Sequence, residues 1–137
     1  MSASGPPVRL FVYGTLRDPR LVRRLTGRTF PTEPACLPGW RLLSPRQTRS
    51  GYPEIVPDLR ASVSGLVLHD VDSASLSVLD AYEEGYVRRR VQVLVATGVQ
   101  EAEVYVPAYV LGEDAASRYH GPRRAGRDPG ADPGRSG

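Results

Sequence analysis

The sequence has a single cysteine, two histidines and, among its 18 basic residues, no lysine. Cys36 has no partner for a disulfide within the chain and no CxxC spacing for zinc, so we expect a reducing, cytoplasmic location. His69 ends an apolar strand pattern and His120 lies in a polar stretch. Neither position favours the histidine of a Ser-His-Asp triad. No ligand spacing indicates a metal site, and we predict neither a metal nor a cofactor.

Long apolar runs are also missing, since none approaches the ~20 residues that span a bilayer. Residues Met1 to Pro7 show neither a basic start nor an apolar stretch, so we expect no signal peptide and no membrane partner. The net charge is +3. The arginines between Arg17 and Arg28 have no interleaved aromatic residues, which is typical of a solvated face and predicts no nucleic-acid partner.

Apolar residues are unevenly distributed along the chain. After Leu111 there is no Val, Ile, Leu, Met, Phe or Trp, and Gly and Pro are frequent. Such a segment buries too little apolar surface to offset the entropy of ordering it. We therefore predict one monomeric domain over residues 8–111 and a disordered tail over residues 112–137.

Strand signals dominate that domain. Asp18, Pro19 and Gly27 are typical of the N-cap, first position and end of a short helix. The patterns predict strands Val8–Tyr13, Trp40–Leu43, Glu54–Val56 and Ser62–His69, helices Pro19–Thr26 and Ser73–Glu84, an irregular Pro31–Pro38, and a hairpin of Arg89–Val95 with Glu101–Val106. Gly65 inside a strand indicates a bulge or a close backbone approach. The predicted fold class is α+β, with mostly antiparallel strands and one or two flanking helices. Closing the strands into a small barrel would leave the sheet without open edges.

One carboxylate stands out in the second helix. Glu83 follows Leu79 by four residues and Leu76 by seven, so it projects from the apolar face. Glu84 projects toward solvent with Asp80. An inward carboxylate has a raised pKa and is a better base near neutral pH. The structural alternative is a buried ion pair of Glu83 with an arginine of Arg88–Arg90.

The first strand ends in Tyr13-Gly14-Thr15-Leu16 just before a helix. Successive backbone N–H groups in such a turn can form a concavity that binds a carboxylate or phosphate. The pattern is neither GxGxxG nor a P-loop, so it does not support nucleotide binding. An ordinary strand-turn-helix junction is the alternative for these four residues taken alone.

The two stretches together resemble the gamma-glutamylcyclotransferase-like family. The resemblance rests on FVYGTLR near the N-terminus, LDAYE later in the chain, then Tyr86-Val87-Arg88 and a valine-rich hairpin, and it covers about Leu10 to Val106. The short subgroup that includes gamma-glutamylamine cyclotransferases is the most similar. Relatives often read LDxxEG, whereas this chain reads Glu83-Glu84-Gly85. Anchoring on Leu79-Asp80 selects Glu83 and anchoring on Gly85 selects Glu84, and the helical face favours Glu83.

The resemblance implies a small mixed β-barrel and a small-molecule gamma-glutamyl substrate. It implies that Glu83 is the catalytic acid/base and that the amides of Tyr13, Gly14, Thr15 and Leu16 hold the substrate carboxylate. The product would be 5-oxoproline, formed when the substrate's own α-amino group attacks its γ-carbonyl. Tyr52, Tyr86 and Arg88 are further candidates for substrate binding, and Tyr105 could line the same cavity.

Two other functions stay open on this sequence. The fold could serve as a non-catalytic module that binds a small acid, because fold does not fix function. The same chemistry could also remove a gamma-glutamyl protecting group from a biosynthetic intermediate, with a different leaving amine.

Overall fold

The computed structural model describes residues 5–110; residues 1–4 and 111–137 are not described. A first compact unit runs to Val106, and of the second unit, which begins at Pro107, only residues 107–110 are described. The predicted domain of residues 8–111 remains a prediction, and the predicted tail of residues 112–137 lies outside the described residues. Among residues 5–110, no helix combines the length and apolarity needed to cross a membrane.

In the described part of the chain, five strands close into a barrel in the order β1-β3-β2-β4-β5. Their bounds are β1 Val8–Val12, β2 Thr32–Leu43, β3 Glu54–Val71, β4 Tyr86–Val95 and β5 Gly98–Pro107. β1 pairs antiparallel with β3 and parallel with β5, and β2 pairs antiparallel with β3 and β4. Closure leaves no unpaired edge. The predicted α+β class and the mixed, mostly antiparallel sheet are confirmed.

Within the first compact unit, two α-helices flank the barrel, α1 at Pro19–Thr26 and α2 at Ser73–Tyr82. α1 has the predicted bounds because local chemistry determines both ends. The side chain of Asp18 accepts a hydrogen bond from the Arg20 N–H at 2.9 Å, and Gly27 ends the helix with a φ of 77°. Short 3-10 helices at Thr15–Arg17 and Pro45–Gln47 were not predicted.

The segment Pro31–Pro38 is not irregular, and that prediction was wrong. β2 runs continuously from Thr32 to Leu43 and pairs with β3 along its length. Ala35 and Leu37 are buried while Pro34 and Pro38 are exposed, so the prolines occupy the outer face of the strand. The pairing register between β2 and β3 shifts between Pro38 and Trp40, which accommodates the irregular backbone at Gly39. Tertiary pairing here overrides the low strand propensity of proline.

β1 and β3 approach each other closely at Gly65, as its position within a strand predicted. A Cβ atom at this position would lie 2.3 Å from the carbonyl oxygen of Val12 and 2.8 Å from Cζ of Phe11. Phe11 is completely buried, so its ring has little room to move. Glycine at this position therefore keeps the end of β1 in place, where the chain leaves the barrel toward Tyr13.

Replacing Gly65 with alanine should lower the free energy of unfolding by about 1–3 kcal/mol, because the added methyl group forces the backbone of β1 away. Urea denaturation of Gly65→Ala and of the wild type measures the difference. Ser62→Ala is the control, since Ser62 is exposed on the same strand. Equal stability of Gly65→Ala and Ser62→Ala would contradict the packing described at Gly65.

Candidate active site

A cavity of about 270 Å³ lies beside the C-terminal end of β1. Its walls come from the loop after β1, the segment before β3, the end of α2, the start of β4, and β5. The residues that line it include Tyr13, Gly14, Thr15, Leu16, Ser50, Tyr52, Tyr82, Glu83, Glu84, Tyr86 and Tyr105. The structure thus brings together Glu83 and the Tyr13–Leu16 loop, which are far apart in the sequence.

The Tyr13–Leu16 loop turns into a 3-10 helix at Thr15. The first hydrogen bonds of that helix run from the N–H groups of Arg17 and Asp18 to the carbonyl oxygens of Gly14 and Thr15, at 3.1 and 3.0 Å. The N–H groups of Thr15 and Leu16 precede these bonds and so have no partner within the helix. The Leu16 side chain is buried in the core with Val12, which anchors the loop. The backbone of the loop can therefore offer donors to a ligand in the cavity.

Two side-chain contacts connect this loop to other walls of the cavity. The Tyr13 hydroxyl donates to the carbonyl oxygen of Tyr105 at 2.8 Å and is buried. The Thr15 hydroxyl lies 3.2 Å from the Tyr82 hydroxyl at the end of α2. The loop is thereby fixed to β5 and to the helix that precedes Glu83.

Glu83 follows the last residue of α2. Its N–H still donates to the Leu79 carbonyl at 2.9 Å, so the residue keeps its place on the apolar face. Gly85, with a φ of 91°, then turns the chain into β4. Glu83 is partly buried and Glu84 is exposed, although both line the cavity. α2 ends at Tyr82, not at Glu84 as predicted.

Burial raises the pKa of Glu83 to about 7. The ion pair considered as an alternative does not form among the described residues. Arg88 bonds to Asp80 and Glu103, and Arg90 lies 3.4 Å from a carboxylate oxygen of Glu101. Arg89 lies over the Trp40 ring at 5.6 Å. Within residues 5–110, Glu83 has neither a side-chain hydrogen bond nor an ion pair, so its oxygens are open to a ligand.

The structure also gives the position of Arg88, the third of the further candidates for substrate binding. It is absent from the lining of the cavity. Its guanidinium donates to both carboxylate oxygens of Asp80, at 2.8 and 3.1 Å, and to Glu103. Asp80 in turn accepts a hydrogen bond from the Tyr105 hydroxyl at 2.6 Å. Arg88 is therefore connected to the cavity only indirectly, through Asp80 and Tyr105, because its guanidinium is bound by the carboxylates of Asp80 and Glu103.

A second carboxylate, Glu54, lies behind the cavity wall. It is only 5% exposed, at the start of β3. Its Oε2 atom accepts hydrogen bonds from the Ser50 hydroxyl at 2.8 Å and from the Tyr86 hydroxyl at 3.1 Å. Burial, together with the charges of Glu54 and Glu83, raises the pKa of Tyr86 to about 12. Tyr86 is thus a neutral donor fixed on the cavity wall, and Tyr52 stands at the rim, 59% exposed.

Sequence reasoning missed Ser50, Glu54, Asp80 and Tyr82 as parts of this site. Asp80 was expected on the solvent face, and its side chain is partly exposed, but it also bonds to Tyr105. Asp80 and Arg88 are close in sequence, and this proximity of a carboxylate and a guanidinium was the signal that could have predicted their ion pair. Among residues 5–110, no three or more His, Cys, Asp or Glu side chains are grouped so as to hold a metal ion.

Comparison with known proteins identifies the family. A family model described as gamma-glutamyl cyclotransferase, AIG2-like, matches residues 10–124. The chain belongs to this family. AIG2-like protein D of Arabidopsis thaliana is 38% identical over 93 residues, which are 67% of this chain and 60% of that protein. The family predicted from the YGTL and LDxxE stretches is confirmed.

Solved structures share the fold of this chain. The solution structure of an Arabidopsis thaliana protein has a TM-score of 0.69 and 25% identity, covering 88% of this chain and 84% of that one. A structure titled gamma-glutamyl cyclotransferase has a TM-score of 0.60 and 21% identity, covering 73% of this chain and 66% of that one. The second likeness concerns the fold alone.

For this AIG2-like family member, the raised pKa of Glu83 predicts a pH-dependent stability difference. The carboxyl has a pKa of about 7 when folded, against 4.5 as its ordinary value. The unfolded chain therefore loses this proton first, and the Glu83 contribution to stability declines as pH rises from about 4.5 to 7. Glu83→Gln removes the decline, so its stability relative to wild type should increase by about 1–2 kcal/mol between pH 5 and pH 8, allowing for partial exposure.

Chemical denaturation at both pH values measures this difference. Glu84→Gln is the matched control, because Glu84 is the exposed neighbour on the same cavity. A pH trend in Glu84→Gln that matched the trend in Glu83→Gln would show that position 83 is not the desolvated carboxylate.

Proposed function

We propose that this protein releases 5-oxoproline and a free amine from a gamma-glutamyl amide. One observation carries the proposal: Glu83, partly buried and without a bonding partner among residues 5–110, lines the same cavity as the Tyr13–Leu16 loop. A base and a set of backbone donors in one small cavity are what an intramolecular cyclisation requires. Membership of the gamma-glutamyl cyclotransferase, AIG2-like family supports the same reaction.

The loop would bind the α-carboxylate of the substrate. The N–H groups of Thr15 and Leu16 are positioned before the first 3-10 hydrogen bonds and can donate to an anion. Thr15 and Tyr13 are held by Tyr82 and by the Tyr105 carbonyl, so the loop needs little rearrangement to bind. The cavity of about 270 Å³ is near the lower end of small-molecule sites, at ~300 Å³ and above, and suits a compact glutamyl group.

Glu83 would act as base and then as acid. Its carboxylate accepts a proton from the substrate's α-ammonium, which frees the nitrogen lone pair to attack the γ-carbonyl carbon. The new C–N bond closes a five-membered ring, and the bond to the leaving nitrogen then breaks. Two protons pass in total from the α-nitrogen to the leaving nitrogen, and Glu83 is regenerated. A carboxyl pKa of about 7 suits this exchange at neutral pH.

Orientation supplies the rest of the rate enhancement in this proposal. The nucleophile and the electrophile belong to one molecule, so no covalent intermediate with the protein is needed. Holding the carboxylate at the loop and the ammonium at Glu83 would bend the glutamyl chain toward the ring. Such positioning contributes up to ~7–11 kcal/mol in favourable cases.

Glu83→Gln should lower kcat for 5-oxoproline release by about 100-fold or more, because glutamine cannot take up a proton. Mass spectrometry of 5-oxoproline measures release from a panel of gamma-glutamyl amines, gamma-glutamyl amino acids and gamma-glutamyl-lysine. Circular dichroism of the variant checks that it is folded.

Glu84→Gln distinguishes the two neighbouring carboxylates. We expect it to retain release, because Glu84 is exposed. Loss of release in Glu84→Gln with activity kept in Glu83→Gln would assign the base to Glu84. Absence of release from every substrate by the wild type, combined with saturable binding of a gamma-glutamyl compound, would favour the non-catalytic binding module.

The pH profile of kcat/KM gives an independent prediction. Activity should rise with pH through a midpoint near 7, because the base must be deprotonated in the free enzyme. A midpoint near 4.5, the ordinary glutamate pKa, would mean that the reacting carboxylate is not a desolvated one.

A further inference from the structure

We propose that Asp80 and Glu54 are positioning residues for the Glu83 base. Each accepts the phenolic hydrogen of a tyrosine on the cavity wall, so that neither tyrosine donates to Glu83. The oxygens of Glu83 then stay open to the ammonium group of the substrate. The catalytic meaning of this arrangement rests on the proposed function, whereas the arrangement itself can be tested without activity.

Tyr105 is the first of the two tyrosines. Its hydroxyl lies 2.6 Å from a carboxylate oxygen of Asp80. Arg88 holds both oxygens of that carboxylate, and Glu103 holds Arg88 from its other side. A neutral phenol has one hydrogen to donate, and Tyr105 directs it at Asp80. A carboxylate locked by a guanidinium is a fixed acceptor, which keeps the hydroxyl from turning.

Tyr86 repeats the arrangement on another wall. Its hydroxyl donates to Oε2 of Glu54 at 3.1 Å, and the Ser50 hydroxyl donates to the same atom at 2.8 Å. Glu54 is 5% exposed, so little water competes for its oxygens. Both tyrosines are electrostatically coupled to Glu83, since its charge contributes to the raised pKa of each phenol. The direction in which each of these hydroxyls donates is therefore relevant to Glu83.

The other titratable groups on the cavity wall have defined places. Tyr13 of the loop donates to the Tyr105 carbonyl oxygen, and the Tyr82 hydroxyl of α2 lies against the Thr15 hydroxyl. Tyr52, before β3, is largely exposed at the rim, and Glu84 beside Glu83 is exposed. No arginine lines this cavity within residues 5–110. A hydrogen bond to Glu83 from a wall phenol would stabilise its charged form and weaken it as a base.

The test is the titration of Glu83 itself. Carboxyl-detected NMR of ¹³C-labelled full-length protein follows its midpoint, and Glu83→Gln identifies the signal. The midpoint in Tyr105→Phe and in Tyr86→Phe should stay within about 0.3 pH unit of wild type, because neither hydroxyl bonds to Glu83. A midpoint raised by about one unit in either variant would show that the hydroxyl donates to Glu83, and would overturn the proposal.

Asp80→Ala tests the same arrangement from the acceptor's side. The proposal expects the freed Tyr105 hydroxyl to donate to Glu83 instead, so the midpoint should fall by about one unit. The double variant Asp80→Ala/Tyr105→Phe should return it toward the wild-type value, since no phenol remains to donate. A midpoint that stays low in the double variant would assign the shift to the lost charge of Asp80 and overturn the proposal. The two phenylalanine variants keep the test decisive even where Asp80→Ala does not fold.

The acid limb of the kcat/KM profile should move with the NMR midpoint in each variant. Wild-type protein that releases no 5-oxoproline, while the NMR midpoints behave as expected, would reject the proposed reaction and support the donor arrangement. Active protein whose midpoint rises in Tyr105→Phe or Tyr86→Phe would reject the donor arrangement alone.

Discussion

The partial removal of the Glu83 carboxylate from water, with no partner among residues 5–110 to replace the water, is the constraint on which the site depends. Such a group destabilises the fold when it ionises. The fold tolerates this destabilisation because α2 is anchored at both ends. Asp72 caps its start by accepting hydrogen bonds from Ser75, and Leu79 is completely buried near its end. The backbone of Glu83, which donates to the Leu79 carbonyl oxygen, is therefore held by a helix that is fixed at both ends.

Local chemistry made several of these features predictable from the sequence. The bounds of α1 follow from a cap, a proline and a terminal glycine within a few residues of one another. The different fates of Glu83 and Glu84 follow from the helical repeat, because Leu76 and Leu79 define the buried face. In each case the residues that determine the outcome lie within one or two turns of it, so no knowledge of the rest of the fold is needed.

Several of the missed features depend on partners distant in the sequence. Nothing near Pro34 or Pro38 indicates a strand, and β2 exists because β3 supplies its hydrogen bonds. Glu54 is buried because Tyr86 comes to it across the cavity wall. Arg88 is close to Glu83 in sequence, yet it bonds to Asp80 and Glu103, since the barrel places both carboxylates within reach. Sequence spacing identifies possible hydrogen-bond and ion-pair partners, but the arrangement of the strands determines which of them come into contact.

The distribution of charge around the cavity has a chemical logic under the proposed function. An arginine beside Glu83 would stabilise its charged form, lower its pKa and make it a poorer base. The fold instead directs Arg88 to Asp80, and the cavity wall carries aromatic rings whose hydroxyls bond elsewhere. The substrate ammonium would then be the first positively charged group to contact the Glu83 carboxylate. The contact that binds the substrate would also be the contact through which its proton leaves, which lets one carboxylate serve recognition and chemistry together.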